Sequence, residues 1–276
     1  MMNAGAQQKS KTVETDIDSL KKYELVLQPI GDSIRDGSNE FVRMDALTDF
    51  IPIFVKTLKF AGSFSYPFDS LRFMFRLKAP DNSFRMFNWI LKFDDATYRY
   101  YAAIQLNQPG GLKLIPLYDN SSHIEFDVLE DTVLTNESWY GVQYYDIFQT
   151  KYKSQKYYIL LGWDGNNAVS HKKVIEIMYF KEGKVFFGAP LFKEDKKIKY
   201  RKVLQYNANA IVTLKFHPEK NLIVFDHLVP PSPANEGKQW TYIPDGDYDY
   251  YKIKRGKFIF GNNVFGKYTI ITNNPQ

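Results

Sequence analysis

The sequence predicts a mainly β protein, with antiparallel meanders arranged propeller-like or as stacked sheets behind two N-terminal α-helices. Three observations predict it. Aromatic residues make up 17% of the chain, with Tyr 20 and Phe 22, and such side chains favour the pleated, half-buried surface of a sheet over a helix. Helical spacing of apolar residues is confined to the stretch before Gly62. Beyond Gly62, short aromatic or β-branched runs alternate with turn residues, which is the pattern of strands and hairpins.

The elements follow in order. Residues 1–14 read as a signal-peptide remnant and disordered tail, with residues 7 to 15 polar. Residues 15–62 read as a helical segment. Ile17, Leu20, Tyr23 or Glu24, and Leu27 recur at helical spacing, with Thr15 or Asp16 as the cap and an end expected near Pro29 or Gly31. A second helix follows Asp36-Gly37-Ser38, with Phe41, Met44, Leu47, Phe50, Ile51, Phe54, Val55 and Leu58 on one broad face, a kink possible at Pro52 and a stop at Gly62. Residues 63–276 read as the β body. Strands are expected at 71–78, 83–92, 97–106 and 111–118, then at 140–149, 156–163, 171–180 and 184–188. A third group is expected at 199–206, 209–217, 221–227, 240–243, 249–255 and 257–262. The turns between them are rich in residues that favour turn geometry, as in Ala79-Pro80-Asp81-Asn82. The grouping recurs loosely every 50 to 70 residues or so, as stacked meanders or propeller blades would.

Composition excludes several function classes. The net charge of +5 comes from 36 basic and 31 acidic residues spread along the chain, so no nucleic-acid partner is implied. Even the densest basic stretch, Lys193 to Lys202, contains Glu194 and Asp195. Cysteine is absent, which removes disulfides, thiolate metal sites and cysteine nucleophiles together. His123, His171, His217 and His227 are scattered and show no zinc spacing. No apolar run is long enough for a transmembrane segment. Ala4-Gly5-Ala6 before Gln7-Gln8 has the small-x-small form of a signal-peptidase site, so a mature start near Gln7 and a periplasmic or secreted location are expected.

Two motifs carry the candidate binding residues. In Tyr157-Tyr158-Ile159-Leu160-Leu161-Gly162-Trp163-Asp164-Gly165-Asn166-Asn167 a nearly continuous apolar strand ends in a tight polar turn. A hairpin explains the turn without function. Trp163, Asp164 and Asn166 could alternatively hold a sugar or a cation at the strand end. In Phe225-Asp226-His227-Leu228-Val229-Pro230-Pro231-Ser232-Pro233 a strand runs into a stiff proline-rich loop. Asp226 and His227 alternate across that strand and pair side by side only if it breaks. A structural role for His227 is the simpler account, because no serine sits in an identifiable nucleophile turn. Asp245, Asp247 and Asp249 sit at alternate positions, as at the start of a calcium loop, but Tyr250 and Gly256 stand where the EF-hand needs Gly and Glu. Calcium is a weak candidate cofactor there, and no other is implied.

The strings YYILLGWDGNN (157–167), FDHLVPPSP (225–233) and SFSYPFDSL (63–71), with SFRMFNW (83–89) and WYGVQYY (139–145), resemble an uncharacterised family of exported proteins, periplasmic or secreted, from Bacteroidota. The likeness runs over most of the chain after residue 16. It implies an exported single body and carries over no catalytic residue. The expected function is therefore a non-enzymatic extracytoplasmic binding or interaction protein of the bacterial envelope, with an envelope protein or a glycan as partner. The alternative is a carbohydrate-active hydrolase, with two carboxylates among Asp94, Asp95, Asp164, Asp226, Asp245 and Asp247 and a sugar platform on Trp89 or Trp163. If the two motifs lie together, Trp163, Asp164, Asn166, Asp226 and His227 form one site.

Overall fold

Between Gln7 and Gln28 the chain carries neither glycine nor proline, a composition that favours one unbroken helix. The computed structural model describes residues 4–194 and 196–264, with side chains from Asp16 onward. Helix α1 spans Ala4–Asp36, so it crosses the segment expected as a tail and passes through Thr15 and Asp16 instead of being capped there. Residues 1–3, 195 and 265–276 and the side chains of residues 4–15 lie outside the described residues, and the signal-remnant reading, which rests on Ala4-Gly5-Ala6 before Gln7-Gln8, falls on undescribed side chains.

The helix also continues past Pro29 and Gly31. Proline removes one hydrogen bond to the carbonyl four residues back. That carbonyl belongs to Leu25, a residue 68% exposed on the solvent side of the helix. The apolar spacing continues through Leu20, Leu27 and Ile34, each at most 1% exposed, and this burial outweighs the break. Gly31 serves packing: a Cβ there would lie 2.5 Å from the Phe73 ring.

Helix α2 spans Glu40–Thr57, and its N-cap Asn39 accepts from the Val42 amide at 3.1 Å, as an orphan first-turn donor requires. Its buried stripe is Arg43, Leu47, Phe50, Phe54 and Thr57, narrower than the face expected from sequence. Phe41 (71%), Met44 (42%) and Ile51 (37%) are exposed. Arg43 takes the buried position because its guanidinium donates to the carbonyls of Lys92 and Gly37 and pairs with Asp94.

The structure is mainly β, with three sheets and two N-terminal helices. Its strands are β1 (Phe75–Lys78), β2 (Phe84–Lys92), β3 (Tyr98–Leu106), β4 (Leu114–Tyr118), β5 (Leu134–Thr135), β6 (Gln143–Tyr152), β7 (Gln155–Asp164), β8 (Ser170–Lys181) and β9 (Lys184–Phe187). They continue with β10 (Phe192–Glu194), β11 (Lys197–Lys199), β12 (Lys202–Asn207), β13 (Leu214–His217), β14 (Leu222–Val229), β15 (Ile243–Lys254) and β16 (Lys257–Gly261). The expected strand at 240–243 is instead a 3-10 turn, Gln239–Thr241, leading into β15.

The chain divides into two compact units, Met1–Leu117 and Tyr118–Gln276. The helices share a core with the first sheet. In the first unit the meander β1-β2-β3-β4 sets Phe87, Trp89 and Leu91 against Leu20, Leu27, Leu47, Phe50 and Phe54 in one core. Edge-on ring contacts such as Phe54–Phe87 at 4.9 Å are the geometry aromatic quadrupoles prefer.

The second unit stacks two sheets, the stacked form of the expected arrangement. One has the order β5-β9-β8-β7-β6 with β12 beside β8, the other β11-β10-β16-β15-β14-β13. All described pairings in them are antiparallel except β10 with β16. Strand alternation sends Ile159, Leu161, Ile175 and Ile177 into a core shared with Phe192, Ile223, Phe225, Tyr251 and Phe258. Their neighbours Gly162, Asp164, Lys172 and Glu176 point to the other face. Gly162 is required there, since a Cβ would lie 2.2 Å from the Val142 side chain. On that face Glu176 and Arg201, both with fully buried side chains, pair at 2.8 Å.

Candidate functional site

The proline-rich strand end is built around a break in register. β14 and β15 pair Asp226 with Tyr248 and then Leu228 with Pro244, so the ladder shifts between them and Asp245-Gly246-Asp247 stands opposite His227 alone. Such a bulge re-aims a side chain and is common beside binding sites. Here it separates Asp226 from His227. Asp226 is 6% exposed, and its Oδ2 accepts from the amide and hydroxyl of Thr213 at 2.5 and 2.8 Å. That carboxylate holds the start of β13. His227 instead lies within hydrogen-bond distance of Asp249, Nδ1 to Oδ2 2.9 Å.

The imidazole is surrounded by acids. Its Nε2 lies 4.0 Å from Asp245 Oδ2. The bond to Asp249, together with the charges of Asp249, Asp245 and Asp247, raises the His227 pKa against the opposing effect of burial. His227 is therefore held toward imidazolium and acts as a hydrogen-bond donor more than as a base. The folded protein keeps this proton more tightly than the unfolded chain, where the pKa is about 6.5. Its stabilising contribution is then complete below that value and is lost as pH rises through the folded value. Melting curves of the wild type and a His227→Gln variant should differ most near pH 5.5 and converge toward pH 9. A gap that stays constant with pH would contradict the assignment.

His227 and Asp249 line a cleft of about 210 Å3 together with Glu194, Lys202, Tyr242 and Phe260. Lys202 lies 3.1 Å from Glu194, and the Tyr251 hydroxyl donates to the same carboxylate. The lining contains neither serine, threonine nor cysteine. Phe260, 38% exposed, supplies an apolar wall. The cleft thus offers an imidazolium donor, carboxylate acceptors and aromatic surface in a space the size of one sugar ring or one side chain.

Of the other sequence candidates, Asp164 and Asn166 belong to a separate knot. Tyr140 donates to Asp164 Oδ2 at 2.5 Å, and Lys172 Nζ reaches Tyr140 at 2.9, Asp164 at 3.2 and Asn166 at 2.9 Å. Asp164 is 4% and Lys172 8% exposed. Asn166, at φ 48°, makes the turn and donates to Ser170 at 2.8 Å. Trp163 points to the opposite face of its sheet, with its ring 5.2 Å from His171. None of Trp163, Asp164 and Asn166 lines the His227 cleft. The five residues do not form one site: Asp226 and His227 both line the cleft, Asp164 and Asn166 belong to the Lys172 knot, and Trp163 lies on the other face of β7 from Asp164.

The remaining acids are occupied locally. Asp94 pairs with Arg43, and Asp95 accepts from the amide and hydroxyl of Thr97 at 2.9 and 2.6 Å. Trp89 is 5% exposed within the first unit's core, so it is no sugar platform. Asp245 accepts from the Asp247 amide at 3.0 Å while Asp249 turns to His227. Among the described residues no group of three or more acidic or histidine side chains is arranged to hold a metal ion.

The chain matches no protein-family model, no curated protein and no solved structure. The case for this site therefore rests on its geometry. Sequence reasoning found His227 but missed Glu194, Lys202, Tyr242 and Phe260, which come in turn from β10, β12, the residue before β15, and β16. Asp249 was weighed only for calcium. Pairing of the expected strands at 221–227 and 249–255 was the one signal that could have joined it to His227.

Proposed function

We propose that the chain is a non-enzymatic binding protein of the bacterial envelope, periplasmic or secreted, and that the His227 cleft holds its ligand. The observation that carries this reading is the His227–Asp249 contact at 2.9 Å in a cleft whose lining has no hydroxyl or thiol nucleophile of the serine, threonine or cysteine type. A histidine whose proton is held more tightly by neighbouring acids suits hydrogen-bond donation, and with carboxylates beside it and Phe260 at the wall it suits a hydroxyl-bearing ligand. A terminal sugar of an envelope glycan fits that description, and so does a polar side chain of an envelope protein.

The hydrolase alternative retains one supporting observation, since Glu194 and Asp249 line the same cleft. Against it, Glu194 is engaged by Lys202 and Tyr251, and Asp249 by His227. The test is retention from an envelope extract containing released glycans, comparing immobilised wild type with His227→Ala. The binding reading expects an intact ligand on the wild type alone. Shortened glycan products in the flow-through would favour the hydrolase instead.

A further inference from the structure

A second cavity, of about 520 Å3, opens on the second unit between β6, β8 and the edge strand β13. It lies apart from the His227 cleft but shares a wall with it: Asp226 lines the cleft, and the Thr213 it grips lines this cavity. Two side chains of opposite charge line the cavity, Lys173 and Asp146. Neither has an ion-pair partner among the described residues, although both are partly buried.

The local structure explains how they are presented. β6 and β7 pair Tyr144 with Gly162 and then Asp146 with Leu161, so Tyr145 is an extra residue. Its ring turns inward and its hydroxyl donates to the Leu214 carbonyl at 3.0 Å. Lys173 Nζ sits 5.1 Å above that ring, which fixes the ammonium without neutralising it. Asp226 attracts Lys173 electrostatically, but its Oδ2 is committed to Thr213. Asp146 receives one bond, from the Ile147 amide at 2.8 Å to Oδ1, and its Oδ2 has no partner among the described residues. Burial lowers the Lys173 pKa and raises that of Asp146. Burial is the larger cause in each case, and it outweighs the attraction of Asp226 for Lys173 and the Ile147 amide's bond to Asp146.

Two unlike charges in one cavity, partly desolvated and without a close ion pair among the described residues, are costly in the empty protein. A ligand that brings both counter-charges relieves both. We propose that this cavity binds a small zwitterion, a free α-amino acid or dipeptide with an apolar side chain, its carboxylate on Lys173 and its ammonium on Asp146. Val212, Leu214 and Phe216 supply apolar surface for the side chain. Lys215, exposed at the rim, adds positive charge and favours the carboxylate end. A ligand lacking one charge leaves its protein partner buried and unpaired, so discrimination is strong.

Titration calorimetry of the full chain with leucine and leucyl-leucine tests this, with N-acetyl-leucine and leucinamide as singly charged controls. Binding of at least one zwitterion is expected, at least tenfold tighter than either blocked form. In Lys173→Met the preference for leucine over leucinamide should vanish, and in Asp146→Asn the preference over N-acetyl-leucine. Leucine against leucyl-leucine tells whether the two charges are spaced for an amino acid or for a dipeptide. The wild type's own discrimination needs no variant, so a variant that fails to fold does not shield the proposal. No binding of either zwitterion, or equal binding of the blocked forms, would overturn it.

Discussion

Replacing Arg201 with methionine is expected to destabilise the second unit by about 3–5 kcal/mol, the usual effect of breaking a buried ion pair from one side. Arg201 and Glu176 have 0% exposed side chains and meet at 2.8 Å. Arg201 also donates to the carbonyls of Thr132 at 2.9 Å and Phe187 at 3.1 Å, and to that of Leu129. One side chain thus ties the segment before β5 and the end of β9 to the outer face of β8. Its removal leaves Glu176 without its charge partner, where burial already raises its pKa, and strips those carbonyls of a donor. Stability of a single domain is only about 5–15 kcal/mol in total, so the variant should unfold at a much lower urea concentration. The double replacement Arg201→Met/Glu176→Leu should recover part of the loss, since an apolar pair of similar volume carries no desolvation penalty. A single-variant loss below about 1 kcal/mol, the scale of an exposed pair, would mean that the pair is solvated.

Lys172→Met is the second large expectation, a loss of roughly 3 kcal/mol because Asp164 stays buried without its cation. Tyr140 and the Asn166 amide still bond to Asp164, at 2.5 and 2.7 Å, which keeps the effect below that of Arg201. The variant separates two roles for the Trp-Asp-Gly-Asn turn. As a structural knot, its disruption lowers the urea midpoint and leaves retention of an envelope ligand intact. Retention lost with the midpoint unchanged would restore the turn as a binding element.

The strand pattern was legible because each β segment buries a face and ends in turn residues, so apolar runs and turn chemistry agree. The helices were legible in existence but not in extent. Pro29 and Gly31 are stop signals locally, and only the burial of Ile34 and the approach of Phe73 override them. The two-unit division was hidden because Trp89 and Phe87, which join sheet to helices, look like any strand residues. At the site, His227 and the acids at 245 to 249 were visible as residue types, but the bulge that brings them together was not. Bulge position depends on cross-strand register, which periodicity does not encode. Arg201 and Arg85 were passed over for the same reason. A buried arginine is recognisable only from its partners, here Glu176 in one case and Gln105 with the carbonyls of Ser63 and Tyr66 in the other.

The central claim is that the His227 cleft binds and the Asp164 knot supports. It is tested most directly by retention of envelope ligand on immobilised wild type and His227→Ala, quantified by mass spectrometry beside the melting temperature of each. His227 has a side chain 39% exposed, so its removal should change the melting temperature little near pH 9, where the stabilising charge of the pair is lost. Retention should fall at least tenfold, about 1.4 kcal/mol of binding free energy. Equal retention by the two proteins, or a loss that appears only with a fall in melting temperature, would contradict the account.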